Sequence, residues 1–132
     1  MKIAIVGSSN LTDSELDQAT HIISDLLHNH FRDIIITGDA RGIDYITRTL
    51  CKNYSVSHRI FEAKRKGWDL PDGFKDRNIR IANEADYVIS ITSKIKNTPC
   101  FHCLTRNHER TGGCWTLKYA IEQGKKGEVI IL

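Results

Sequence analysis

The sequence contains no apolar run near the roughly 20 residues that a membrane-spanning helix requires, so a soluble chain is expected. It has little excess charge: 19 basic against 16 acidic side chains leave +3, too mild by itself to mark a nucleic-acid protein. The opening run, Met1-Lys2-Ile3-Ala4-Ile5-Val6-Gly7, is too short and wrongly flanked for a secretory signal. A cytoplasmic location is the expectation. Internal repeats, low-complexity tracts and inter-domain linkers are all missing, and disordered, collagen-like and coiled-coil architectures are excluded. What is left is one domain over residues 1–132, a length at which about two-thirds of the unfolded chain's surface is buried. Four cysteines in a reducing compartment point to metal or thiol chemistry before disulfides.

The pattern alternates strands and helices. Lys2–Gly7 reads as a buried strand closing on Gly7-Ser8-Ser9. Thr12 and Glu15 then form a capping box, with Leu11 and Leu16 at the hydrophobic-staple positions. Leu16, Ala19, Ile22, Ile23, Leu26 and Leu27 recur at helical spacing. Residues 33–37 predict a second strand, followed by a helix with Ile43, Ile46, Leu50, Cys51 and Tyr54 on one face. Residues 56–61, 87–91 and 128–132 predict three more strands, the first of these followed by a basic loop over 63–73. Phe74, Asn78, Ile81, Ala82 and Ala85 mark a third helix, and Leu117, Ala120 and Ile121 a last one ending near Gly124. The expected fold class is therefore α/β: a single-domain, Rossmann-like, doubly wound parallel sheet of about five strands. Such sheets bind ligands outside the carboxyl ends of their strands, at the switch point.

The loops at those ends carry the candidate site. Gly7, Ser8 and Ser9 form the first. Gly38-Asp39-Ala40-Arg41-Gly42 joins a strand directly to a helix, where glycines admit a ligand, helix amides meet it and Arg41 offers a bidentate phosphate grip. Asp44, in the first helical turn, is placed to hold a ribose hydroxyl or to orient Arg41. Gly112-Gly113 opens the last helix as a second anion cradle, with the Thr116 hydroxyl as a further donor. Arg77 and the unexpectedly polar Asn78 begin the third helix near the same edge, and Trp68 is available to stack on a base or to pack as a lid.

Taken together, Thr37-Gly38-Asp39-Ala40-Arg41-Gly42-Ile43-Asp44, Arg77-Asn78 with Ala85-Asp86, and Gly112-Gly113 resemble the SLOG superfamily. This Rossmann-like group holds Lonely-Guy phosphoribohydrolases, YpsA-related proteins and the DNA-processing protein A family; the small YpsA-related branch is the nearest likeness. The resemblance implies a nucleotide or nucleotide-derived ligand, bound by a sensor or binding protein. Its first alternative is an N-glycosidic hydrolase of nucleoside monophosphates. For that chemistry Arg77 matches the family's arginine and Gly112, Gly113 and Thr116 its phosphate loop, but Tyr119 replaces the glutamate. A phenol with pKa near 10 is poorly suited to moving protons at neutral pH. The second alternative is single-stranded DNA binding, with Arg41, Lys64, Arg65, Lys66, Arg77 and Arg80 as the basic groove. Relatives often pair as homodimers, which a single domain of this size permits.

One segment stands outside the resemblance. Residues 97–114 form a cysteine-rich insert in which Cys100, Cys103, His108 and Cys114 have C-x2-C-x4-H-x5-C spacing. Thiolates with one imidazole suit tetrahedral zinc, with His102 as the substitute for His108. The expectation is a structural zinc that ties the insert to the Gly112-Gly113 loop without touching substrate.

Overall fold

The computed structural model describes residues 1–93 and 112–132. Along these residues run β1 (Lys2–Gly7), α1 (Asp13–Asn29), β2 (Ile34–Gly38), α2 (Ile43–Asn53), β3 (His58–Phe61), α3 (Phe74–Glu84), β4 (Tyr87–Thr92), α4 (Gly112–Glu122) and β5 (Lys126–Ile131). The strands form one parallel sheet in the order β3-β2-β1-β4-β5. Strand order reverses between β1 and β4, and that is the switch point.

Side-chain alternation along the central strands builds two cores at once. Ile3, Ile5, Ile35, Ile89 and Ile91 pack with Ala19, Ile23 and Leu27 of α1 and Ile43, Ile46 and Cys51 of α2. Ala4, Val6, Ile36 and Val88 face the other way, onto Ile81 and Ala82 of α3 and Leu117 and Ala120 of α4. Each fully buried isoleucine contributes roughly 2–3 kcal/mol by leaving water. A strand buried on both faces must be apolar throughout, which is why β1 reads as a continuous run rather than an alternation.

Local chemistry sets the element boundaries. The capping box is present: Glu15 N donates to Thr12 Oγ1 (3.2 Å), and Thr12 N donates to Glu15 Oε1 (3.1 Å). Leu11 of the staple packs on the core, whereas Leu16 is 36% exposed. Cys51 is fully buried, and burial pushes its thiol up to about 11, the behaviour of a core residue. Tyr54, expected on the inner face of α2, is instead exposed at the helix end, its hydroxyl bonded to Ser24 Oγ. The last strand starts at Lys126, earlier than expected: Lys126 and Gly127 pair with Tyr87 and Val88 of β4, and a Cβ at Gly127 would stand 2.2 Å from Val88 O. None of the described helices is long and apolar enough to cross a membrane.

Candidate functional site

Four loops meet at the switch point. The β1–α1 loop is tied to β4 by Ser8, whose N–H donates to Ile91 O (3.1 Å) and whose Oγ accepts from Ser93 N (2.9 Å). The β2–α2 loop is tied to Ser8 in turn, through Ile43 N donating to Ser8 O (3.1 Å). Gly42 makes this approach with φ +72°, and a Cβ there would stand 2.2 Å from Ser8 O. At the start of α4, Gly113 lies so close to Gly7 that a Cβ would meet its Cα at 2.7 Å. Bare backbone against bare backbone is the only packing this geometry allows.

The result is a cleft of about 280 Å³, its lining including Gly7, Asp44, Arg77, Asn78, Gly112 and Gly113. The helix amides at the start of α4 have no intrahelical acceptor, so the positive end of that helix faces the cleft. Arg77, only 7% exposed, donates from Nε to Asn78 Oδ1 (2.9 Å) and from Nη1 to Asp39 Oδ1. A guanidinium has five N–H groups, so these two bonds leave further donors on the fork. Trp68 also lines the cleft and is 37% exposed, at its rim. The 63–73 loop holds it there: Lys64 and Arg65 amides donate to Asp72 O, Phe74 N to Gly67 O and Lys75 N to Trp68 O. Trp115, itself outside the lining, meets Trp68 edge-on at 5.0 Å and stacks on Tyr119 at 5.5 Å.

Asp44 is the unusual member. It is 4% exposed, and Ala40 N donates to its Oδ2 (3.3 Å), while its buried Oδ1 has no hydrogen-bond partner. Burial pushes its carboxyl up to about 6, against the opposing pull of Arg77, the Ala40 N–H and Arg48. Arg48 sits one turn beyond, donating from Nη1 to Gly38 O and Ala40 O, both at 2.9 Å.

These contacts revise several of the expected roles. Gly7, Ser9, Asp44, Arg77, Asn78, Gly112 and Gly113 do come together at the cleft. Arg41 does not: it is exposed and outside the lining, although its neighbour Ala40 is part of it. The Thr116 hydroxyl is spent inside its own helix, donating to Gly112 O (2.7 Å). Ser8 and Gly42 hold loops together rather than face the cleft, and Gly38 lies beneath Asp44 and Arg77. Asp39, Arg48 and Trp115 were missed. For Arg48 the available signal was its position one helical turn after Asp44.

Of the zinc ligands, Cys100, Cys103 and His108, with the substitute His102, lie outside the described residues. Cys114 is fully buried between α4 and β4, its Sγ 3.4 Å from Ser90 Oγ. Among the described residues no three His, Cys, Asp or Glu side chains are grouped to hold a metal.

Fold and cleft together define a Rossmann-like domain with a glycine-lined cleft at its switch point. No family model matches the sequence, and no curated protein matches it. Solved structures do share the fold. DNA processing protein A (DprA) from Streptococcus pneumoniae matches with TM-score 0.67 at 18% identity, over 97% of this chain and 49% of that one. TM1055, a structural-genomics target, matches with TM-score 0.66 at 16% identity, over 96% of this chain and 71% of that one. The chain thus spans about half the length of DprA. It has the DprA-like Rossmann fold that the SLOG resemblance implied.

Proposed function

We propose that the chain binds a nucleotide or nucleotide-derived ligand in this cleft, as a sensor or binding protein. The observation that carries the reading is the meeting of Gly7 with Gly113 beneath Arg77 and Asn78. It sets a helix N-terminus and a guanidinium fork on one concave surface. Trp68 supplies a flat apolar face at the rim for a base. A cleft of about 280 Å³ lies at the small end of ligand pockets, the scale of a mononucleotide rather than of an extended strand. Mass spectrometry of small molecules released from purified protein tests this. A released nucleotide, unchanged on incubation with fresh protein, supports it. Retention of an oligonucleotide in a salt-sensitive manner, with no small ligand, would favour single-stranded DNA instead.

One observation favours a second reading, hydrolysis of an N-glycosidic bond. Tyr119 stacks on Trp115 and is not among the cleft-lining residues, but Asp44 is, with a carboxyl pushed up to about 6 beside Arg77. A carboxyl near neutral pKa is suited to passing a proton. Free base appearing on incubation, and lost in Asp44→Asn, is the result this reading requires.

For the cysteine-rich insert we retain zinc as a proposal, supported by the spacing of Cys100, Cys103 and His108. Cys114 is the fourth member of that proposed set, and its contact with Ser90 Oγ at 3.4 Å is compatible with ligation, since a metal-bound thiolate still accepts a hydrogen bond from a hydroxyl. Elemental analysis of gently purified protein decides it: about one zinc per chain supports the assignment, and none removes it.

A further inference from the structure

Among the described residues, Arg77 is the cation in the cleft's lining, and its ion-pair partner, Asp39, lies outside that lining. The pair begins a chain of orientation. Arg77 Nη1 donates to Asp39 Oδ1, and Nε, on another edge of the guanidinium, donates to Asn78 Oδ1 (2.9 Å). Two acceptors on different edges of a rigid planar group fix both its place and its plane. An amide that accepts through Oδ1 turns its nitrogen the other way. Asn78 Nδ2 accordingly stands 3.4 Å from the place of a Cβ on Gly112, at the start of α4.

Two donors are left over. Arg77 Nη2 and Asn78 Nδ2 bond to no described residue, and the one solvent-shielded side-chain polar atom without a partner there is Asp44 Oδ1. Both nitrogens therefore reach the cleft that their residues line. With the free amides opening α4, they bring three kinds of N–H to one concave surface. Asp39 is itself held from the far side, where its Oδ2 accepts from Ala63 N (3.3 Å). Gly38 leaves room for the pair, since a Cβ there would stand 2.9 Å from Arg77 Nη1. Asp44 is no substitute: it takes one N–H, from Ala40, and makes no ion pair among the described residues.

We infer that Asp39 is a positioning residue for the ligand's phosphate: without touching the ligand, it sets the Arg77 fork and, through it, the Asn78 amide. The inference rests on the nucleotide-binding reading and adds a residue which that reading leaves out. The acceptor and the charge of Asp39 act in opposite directions. Its oxygen orders the fork in advance, which spares the ligand that ordering. Its negative charge opposes a bound phosphate. A variant that loses only the charge therefore keeps the benefit, and one that loses the acceptor as well does not.

The test is calorimetric titration with the four common ribonucleoside 5′-monophosphates on wild type, Asp39→Asn and Asp39→Leu. Asn keeps an oxygen for Arg77 Nη1, Leu of like size keeps none, and both give up the bond from Ala63. The side chain is 34% exposed, so both changes fall at the surface, and thermal unfolding confirms that each variant folds. Should Asp39→Leu fail to fold, Asp39→Ala takes its place in the same comparison. The expected result is that Asp39→Asn binds at least as tightly as wild type, and Asp39→Leu about tenfold or more weakly than Asp39→Asn. A merely structural role would lower both alike, so a difference between the two variants within about threefold overturns the assignment while leaving nucleotide binding intact. No binding of any of the four to wild type removes the nucleotide reading itself.

Discussion

The two ends of the sheet treat their charges in opposite ways. Where the strands begin, charges pair at the surface. The Met1 amino group and His30 both meet Asp33, and Lys2 and Arg59 both meet Glu84. Lys125 caps the end of α3 by donating to Ala85 O (2.7 Å). These partners hold the Asp33 and Glu84 carboxyls below the usual range, the hydrogen bonds from His30 and Lys2 acting most strongly. Where the strands end, Asp44 is buried, half-satisfied and pushed up to about 6. One end is arranged for cohesion. The other keeps an unfavourable charge in place, and such strain collects at functional sites.

The largest expected effect comes from the glycine contact. Gly113→Ala drives a Cβ into the backbone of Gly7, and neither side has a flexible atom to yield. A loss of roughly 3 kcal/mol or more is expected in denaturant unfolding, together with loss of ligand binding. A mild effect would show that the two loops are not locked together. Next comes Asp44→Asn, with the opposite sign. Because the folded protein holds this proton more tightly than the unfolded chain, wild-type stability falls as pH rises from the ordinary 3.8 through about 6. Removing the charge should therefore stabilise the protein by the order of 2 kcal/mol at about pH 8, with the gain vanishing below about pH 4. Thermal melts across that range check it, and a destabilised variant at high pH would make Asp44 an ordinary structural carboxylate.

Smaller effects sharpen the contrast from the other end. Gly124 also has a positive φ, +85°, but nothing lies within 4 Å of its would-be Cβ. Gly124→Ala should cost only about 1 kcal/mol, the conformational strain without a clash. Smallest is Asp33→Asn, which gives up exposed pairs with the Met1 amino group and His30. A slight destabilisation, erased by high salt, is expected in thermal melts. A large, salt-independent loss would mean that the strand-start end is no mere surface network.

The fold was legible because its signals are local. Apolar runs, the Thr12–Glu15 box and the turn glycines mark elements within a few residues, and the alternation of strand and helix dictates a parallel sheet. The site was legible only as a set of loops. Sequence places Arg41 and Arg77 equally near the strand ends, but which one turns inward depends on the path from Ala40 through Gly42 and on Asp39 as a partner. The fate of the Thr116 hydroxyl depends likewise on a carbonyl one helical turn away. The orphan oxygen of Asp44 is a fact about neighbours from three segments, and no spacing rule contains it.

The most direct test of the strand-end cleft as the ligand site is two-dimensional NMR of backbone amides during titration with the ribonucleoside monophosphates. Saturable shifts concentrated at Gly7, Ser9, Ala40, Arg77, Asn78 and Gly113, with Lys2, Asp33, Glu84 and Asp86 unmoved, are predicted. Shifts gathered at the strand-start end, or a spectrum unchanged at millimolar ligand, would contradict it.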